Sequence, residues 1–445
     1  MGEVFSTLNG YEVKDRFARE SIDNINLQMS VTPKQFGAAG DGVRDDTAAF
    51  AAAASYVKQN GGGCICLTKG RYLISDTIDL TGAGIKLTSE PHYCVDILYT
   101  NPNKPFLTIG DGETNCNTVI IENLNIIYSG AQLSNSAAIV WDRCANVRMK
   151  DIIIQDFLSG MVVHHCTNSF FNTLNFVNTK LQTGGIALEV GDFSASSEFR
   201  NIQINYMYPN GDNIGIAITN GDINDLLFYN VDIANTRTGI RINGANAQMP
   251  QTDIAFYYLK YDAGMVAVEL ANCTNKSSIV FDGGWINCGA MDNPSYVGFN
   301  ITNCDGVIIT NYQFIGANDD LATKMQYVVC TDNCKNIMVK NNLFYRCLNA
   351  LVSTAATNKN ISFDGNMVKA NEPGLAGAYI VLQNGQNMSV CGNTIDAVGA
   401  WGILIDACTN VICTNNIVNG DFSSGAISAT GENIVNDNNI QANNN

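Results

Sequence analysis

Four nine-residue segments share one pattern: NIMVKNNLF (336–344), NISFDGNMV (360–368), NMSVCGNTI (387–395) and NVICTNNIV (410–418). Each opens on Asn, alternates apolar residues, and has Asn again at its seventh position, as Asn342, Asn366, Asn393 and Asn416. Alternation of this kind turns one side of a strand toward a core and the other toward water. The same frame gives starts at 118, 146, 169, 201, 225, 253, 278, 306, 336, 360, 387, 410 and 433, a mean interval of about 26 residues. Each interval also holds a second alternating stretch, such as AIVWDRC (138–144), GIALEVG (185–191) or VAVELANC (266–273). One repeat of two or three short strands cannot bury its own apolar side, so successive repeats must stack. The predicted fold is all-β: a parallel β-solenoid of about 13 coils spanning 116–445.

The repeat gives the cysteines and asparagines a place. Fifteen cysteines spread over 445 residues, odd in number and without zinc-ligand spacing, point to free buried thiols rather than a disulfide scaffold or a metal site. Cys116, Cys144, Cys304, Cys334 and Cys408 each lie two residues before a coil start and are predicted to stack in one turn. The seventh-position asparagines are predicted to form a second ladder, amide to amide. Asn-x-Ser/Thr triplets at 272, 275, 300, 360 and 387 read as turn residues of this kind rather than as glycosylation sites. With 41 acidic against 25 basic residues the formal net charge is −16, which argues against nucleic acid or an anionic membrane as partner. There is no apolar run of membrane-spanning length and no secretion signal, so a soluble chain made in a reducing cytoplasm is expected.

Residues 31–115 read differently, as a capping region with the first coils. DDTAAFAAAASYVKQNGGG has the pattern of an amphipathic helix that starts at Asp46 or Thr47 and stops at glycine. Asp45 and Asp46 are expected to satisfy backbone donors at its start, with Phe36 and Phe50 seating it on the first coil and Gly37, Gly40 and Gly42 forming the turn before it. Such a helix would cover strand edges that an open coil exposes. CICLTKGRYLISDTIDL then alternates as strands around a Lys-Gly turn.

FGAAGDGVRDDTAAF (36–50), followed by GGGCICLTKGRYLIS with its Gly70-x-Tyr72 turn, closely resembles the amino-terminal signature of the pectate lyase superfamily. That resemblance implies a right-handed parallel β-helix of the kind found in phage tailspike depolymerases. NGYEVKDRFARESIDN, within residues 1–30, is similar to the attachment segment ahead of this domain in tail proteins of phages and prophages of Gram-positive bacteria. Together they imply a homotrimer joined to a phage tail or baseplate through its amino terminus, located in the virion tail, that binds and often cleaves a bacterial polysaccharide. The resemblance carries over no catalytic residues. Polygalacturonase-type relatives have Gly-His-Gly, which is absent, and the Arg-x-Lys of Arg148 to Lys150 stands in an early coil without partner motifs. The aspartate and arginine pattern of calcium-dependent pectate lyases is also missing, so no cofactor is implied, although calcium fits the chemistry of a loop such as that of Asp319 and Asp320.

Chemistry is therefore sought on the coils. The fifth positions read Asn205, Tyr229, Tyr257, Asp282 and Thr310, and the eighth Tyr208, Asp232, Lys260, Trp285 and Gln313. Tyr229, Tyr257, Tyr261 and Trp285 are predicted to form a platform for sugar rings, with Lys260 beside it. Asp232, Asp262 and Asp282 are the candidate acid and base, since glycoside hydrolysis needs two carboxylates across the scissile bond. A lyase reading would instead use Tyr257 and Lys260 to remove the proton alpha to a uronate carboxylate. A third reading is an adhesin or structural tail protein whose rings bind sugar without cutting it. His164, His165, Glu189 and Glu269 are weaker candidates, each explicable by the fold alone.

Overall fold

The computed structural model describes residues 30–113, 115–180, 183–206, 211–219, 221–245, 252–274, 277–288, 296–316, 325–370 and 378–442. Of the predicted attachment segment only Ser30 falls among them, and Tyr208, Asp319 and Asp320 lie outside. The fold is an all-β parallel solenoid of about 12 turns, close to the thirteen starts read from the repeat. The chain divides into two compact units, Met1–Asn175 and Phe176–Asn445.

In the first unit, strand Cys116–Tyr128 pairs in parallel with Ala83–Tyr99 on one side and Arg148–Gln155 on the other. A second stack runs through Leu107–Ile109, Ala137–Asp142 and Ser159–His164. Helix α1, Thr47–Gln59, buries Ala49, Phe50, Ala53, Ala54 and Val57, and Phe50 meets Tyr72 edge-on at 5.3 Å between ring centroids. Phe36 packs on Tyr56 of the helix itself, at 5.7 Å. The turn before the helix works differently from the expectation for Asp46. Its side chain makes no cap bond; it is buried and accepts the N–H groups of Ala39 (2.7 Å) and Gly40 (3.0 Å). Asp45 receives the Thr47 N–H (2.9 Å) instead, and so does serve the helix start. Gly40, at φ 64°, comes so near Gly70 that a Cβ on Gly70 would lie 2.7 Å from the Gly40 carbonyl oxygen. That close approach is why the Gly70-x-Tyr72 turn needs its glycine. The predicted break at Lys69-Gly70 is a register shift within one strand, Gly63–Ile74.

In the second unit five successive strands carry one face: β1 (Ala195–Tyr206), β2 (Asn224–Ala234), β3 (Thr252–Asp262), β4 (Ile279–Cys288) and β5 (Asp305–Gly316). Each pairs in parallel with the next, and Phe199, Phe228, Phe256 and Phe281 stack inside at 4.4–5.0 Å.

These strands bend at a corner whose residue has positive φ on every rung. Down the column it is Asn201, Asn230, Tyr258, Gly283, Asn311, Asn341, Gly365, Gly392, Asn415 and Asn438, with φ between 52° and 75°. Asparagine and glycine tolerate this left-handed backbone better than other residues. Nineteen of the thirty-four non-glycine residues with positive φ among those described are Asn, which accounts for much of the asparagine content. The predicted seventh-position ladder follows the corner. Asn342, Asn366, Asn393 and Asn416 are buried, each amide donating to the next Asn side chain at 2.9–3.2 Å and to a backbone carbonyl of the rung before.

Two further asparagine ladders lie nearer the surface, the first exposed and the second half-buried except at Asn333; Asn272, Asn360 and Asn387 among them are triplet asparagines read from the sequence as turn residues of this kind. One joins Asn336, Asn360, Asn387, Asn410 and Asn433, and the other joins Asn243, Asn272, Asn303 and Asn333. The five predicted turn cysteines are buried and free, with Cys116 and Cys144 in register.

Candidate functional site

The outward residues of β1 to β5 form two columns flanking the corner. The first runs Arg200, Tyr229, Tyr257, Asp282 and Thr310; the second runs Gln203, Asp232, Lys260, Trp285 and Gln313. From β2 onward these are the predicted fifth and eighth positions. On β1 the coil start read at 201 is five residues late, because Asn201 belongs to the second corner and Ser196 (φ 48°) stands at the first. Asn205 and Tyr208 therefore leave the columns, and Arg200 and Gln203 replace them.

Along the first column the Arg200 guanidinium lies 4.8 Å from the Tyr229 ring centroid, and Tyr229 stacks on Tyr257 at 5.0 Å with 15° between ring planes. Asp282 continues the column and accepts the Asn311 amide at 2.7 Å. Along the second, Lys260 sits 3.8 Å from Asp232 and 5.3 Å from the centroid of the exposed Tyr258 ring. Trp285 follows Lys260 in register and is half-buried.

Two residues beyond Lys260, Asp262 is half-buried in register with Ala234 and Asn287, and Asn287 donates to it at 3.1 Å. Burial pushes its carboxyl above the ordinary carboxylate range, and the negative charge of Asp232 adds to the push, against a backbone N–H and the Asn287 amide. Asp232 and Asp262 thus stand one rung and two residues apart on the same outer face. With strands 4.8 Å apart and a rise of 3.3 Å per residue, that diagonal is about 8 Å between Cα atoms. It is the closest juxtaposition among the three candidate carboxylates. Asp282 is two rungs from Asp232 and across the corner, so it flanks the pair instead of completing it.

Tyr261 is corrected. Its ring is fully buried, and its hydroxyl donates to the Thr236 and Arg237 carbonyls at 2.9 and 3.1 Å, so it belongs to the core and offers no face to a sugar. Sequence reasoning passed over Arg200 and Tyr258. The latter carried a readable signal, as an aromatic residue where the frame otherwise places Asn or Gly. The weaker candidates have partners: His165 Nδ1 lies 2.8 Å from Asp142, Arg241 donates to Glu269 at 2.7 Å, and Thr219 donates to Glu189 at 3.3 Å. Among the described residues no three His, Cys, Asp or Glu side chains are grouped as metal ligands, and no helix is long and apolar enough to cross a membrane.

Coiled parallel strands in this register define a class, the pectate lyase-like β-helix proteins, which includes phage tailspikes and carbohydrate-active enzymes. Within it, the chain belongs to the rhamnogalacturonase A/epimerase, pectate lyase-like family, which matches residues 29–275. No curated protein sequence matches. Among solved structures it is similar to a double mutant of the tailspike protein of E. coli bacteriophage HK620 in complex with a pentasaccharide. The TM-score is 0.66 at 13% identity, over 95% of this chain and 79% of that one. It is also similar to the pre-mature bacteriophage phi29 gene product 12, with a TM-score of 0.57 at 15% identity, over 94% of this chain and 58% of that one. At such identities these likenesses establish the fold alone.

Proposed function

We propose that this protein is a tailspike-like polysaccharide depolymerase that hydrolyses a bacterial surface glycan, with Asp262 as general acid and Asp232 as general base. The observation that carries the reading is the diagonal pair on one outer face, with Asp262 half-buried and Lys260 3.8 Å from Asp232. Burial makes Asp262 hold its proton more tightly than a hydrated carboxyl does, which suits it to the acid role. In the proposed step the Asp262 proton passes to the glycosidic oxygen as the anomeric C–O bond breaks. Asp232 takes a proton from a water molecule whose oxygen bonds to the anomeric carbon. With about 8 Å between their Cα atoms, the two carboxyl groups can reach the ~6.5–9.5 Å spacing that leaves room for that water and is usual for inversion. Tyr229, Tyr257 and Trp285 would hold adjoining sugar rings, while Asp282 accepts hydroxyl hydrogens.

The larger frame of the proposal follows the resemblance: a right-handed coil with α1 as its amino-terminal cap, assembled as a homotrimer, and joined to a phage tail through residues 1–30. Right-handedness is also what parallel crossover connections favour. Hydrolysis is tested by incubating the protein with purified capsule and wall polysaccharides and measuring both reducing ends and the ultraviolet absorbance of unsaturated uronates. New reducing ends without that absorbance, abolished in both Asp232→Asn and Asp262→Asn, are the expected result. Absorbance together with reducing ends overturns hydrolysis in favour of elimination. Tight binding with neither product makes the protein an adhesin.

A further inference from the structure

Tyr258 is the anomaly of the site. Of the ten described residues at its corner in the second unit, nine are Asn or Gly, and Tyr258 alone is bulky, at φ 63°. A tyrosine is disfavoured in this backbone region, and sparsely populated conformations persist where the surroundings enforce them and tend to gather at ligand sites. Nor is its ring held by packing, since the residue is 51% exposed. It also ends a ladder: one rung earlier Asn230 donates to Asn201 at 2.8 Å, and an Asn at 258 would extend that series. By backbone conformation, burial and side-chain pairing, Asn would suit position 258 better.

What the ring does possess is position. Lys260 lies 5.3 Å from its centroid and 3.8 Å from Asp232, so one cation links the exposed ring to the pair assigned above. We propose that Tyr258 is the wall of a subsite next to Asp232 that stacks on a neutral pyranose ring, and that it sets which glycans the face accepts. An aromatic face matches the apolar C–H face of a pyranose, while the phenol edge stays wet. Neutrality follows from the charges around it. Asp232 and Asp262 share the face, Asp282 lies just across the corner, and Lys260 is already engaged with Asp232, so a uronate or a phosphate-bearing sugar would meet like charge. The inference rests on the glycan-binding reading but not on cleavage.

The test uses the full chain and its Tyr258→Asn and Tyr258→Phe variants. Each is titrated calorimetrically with neutral N-acetylated oligosaccharides prepared from bacterial surface polysaccharides, and with oligogalacturonate as the anionic arm; melting temperature is measured in parallel. Tyr258→Phe should bind the neutral oligosaccharides within twofold of the native protein. Tyr258→Asn should lose at least tenfold in affinity while melting at the same temperature or higher, a combination that a merely structural tyrosine does not produce. Wild-type affinity in Tyr258→Asn, or lost affinity with a lowered melting temperature, overturns the role of Tyr258 and leaves the glycan reading standing. Preference for oligogalacturonate overturns the neutral class. Binding to neither set by the native protein overturns the glycan reading and this inference together.

Discussion

Asp262 is less hydrated than an exposed carboxylate, and that should be visible in stability as well as in catalysis. Because its folded-state value is raised from the ordinary 3.8, the native state holds this proton more tightly than the unfolded chain does. Its contribution is therefore fully present below about pH 3.8 and is lost as pH rises through the folded value. Asp262→Asn, which keeps an oxygen for the Asn287 amide and never ionises, is expected to melt higher than the native protein at pH 7.5 and equally at pH 3.5, while losing cleavage. Thermal melts at the two pH values check this, and a lower melting temperature at pH 7.5 would count against the assignment. Asp46 shows the opposite use of a buried carboxylate, fully engaged by two N–H groups. Asp46→Ala should cost about 3–6 kcal/mol by chemical denaturation, since two hydrogen bonds are lost and each to a charged group contributes about 1.5–3 kcal/mol. The columns of Asp232, Lys260 and Trp285 were legible because the repeat fixes which residues sit in register. Tyr261 was misplaced although it directly follows Lys260, itself read as outward, so that alternation turns it inward; the corner at 258 is what carries the outward set from Tyr257 to Lys260. Such corners leave only a weak mark on the sequence, a single Asn or Gly.

The elements owe their register to two kinds of asparagine that look alike in the sequence. Asn360 lies in an exposed ladder with positive φ, whereas Asn366, six residues later, is buried and bonded to Val339, Asn342 and Asn393. Removing the first exposes its neighbour to water; removing the second strands polar groups in the core. Asn360→Gly, which keeps the backbone permissive, should therefore change stability by less than about 1 kcal/mol, and Asn366→Ala should cost about 3–5 kcal/mol. Denaturation of both variants by urea measures the difference directly. Equal losses would mean that the buried ladder is no more than a packing column. This ambiguity also explains the slip at 201. The frame was anchored on Asn, and Asn201 is a true corner residue of the wrong corner. Ser196, the residue that belongs there, carries no asparagine to reveal it.

Across the whole molecule the period of the repeat was enough to predict an all-β solenoid, because no other arrangement buries the inner residues of so many short strands. It also predicted where the thiols go, and their reactivity follows from that placement. Cys116, Cys144, Cys304, Cys334 and Cys408 are buried in turns, and burial pushes the thiols of Cys334, Cys347 and Cys413 up to about 12. At pH 8 such a group is thiolate for about one part in 10⁴, and the thiolate is the reactive form. Cys94 alone is exposed among the described cysteines, with Cys66, Cys330 and Cys391 half-buried. Treated with an aromatic disulfide at pH 8, Cys94 of the native protein should react rapidly and the half-buried thiols among those described more slowly. The full complement of 15 should react only on unfolding. Cys94→Ser should remove one equivalent from the fast phase and leave the melting temperature unchanged, and a reducing agent should leave it unchanged in both proteins, since the described thiols are free. Rapid release of the buried turn thiols, at a rate matching Cys94, would mean that the rungs open locally and often. That would contradict a stack held together by buried ladders.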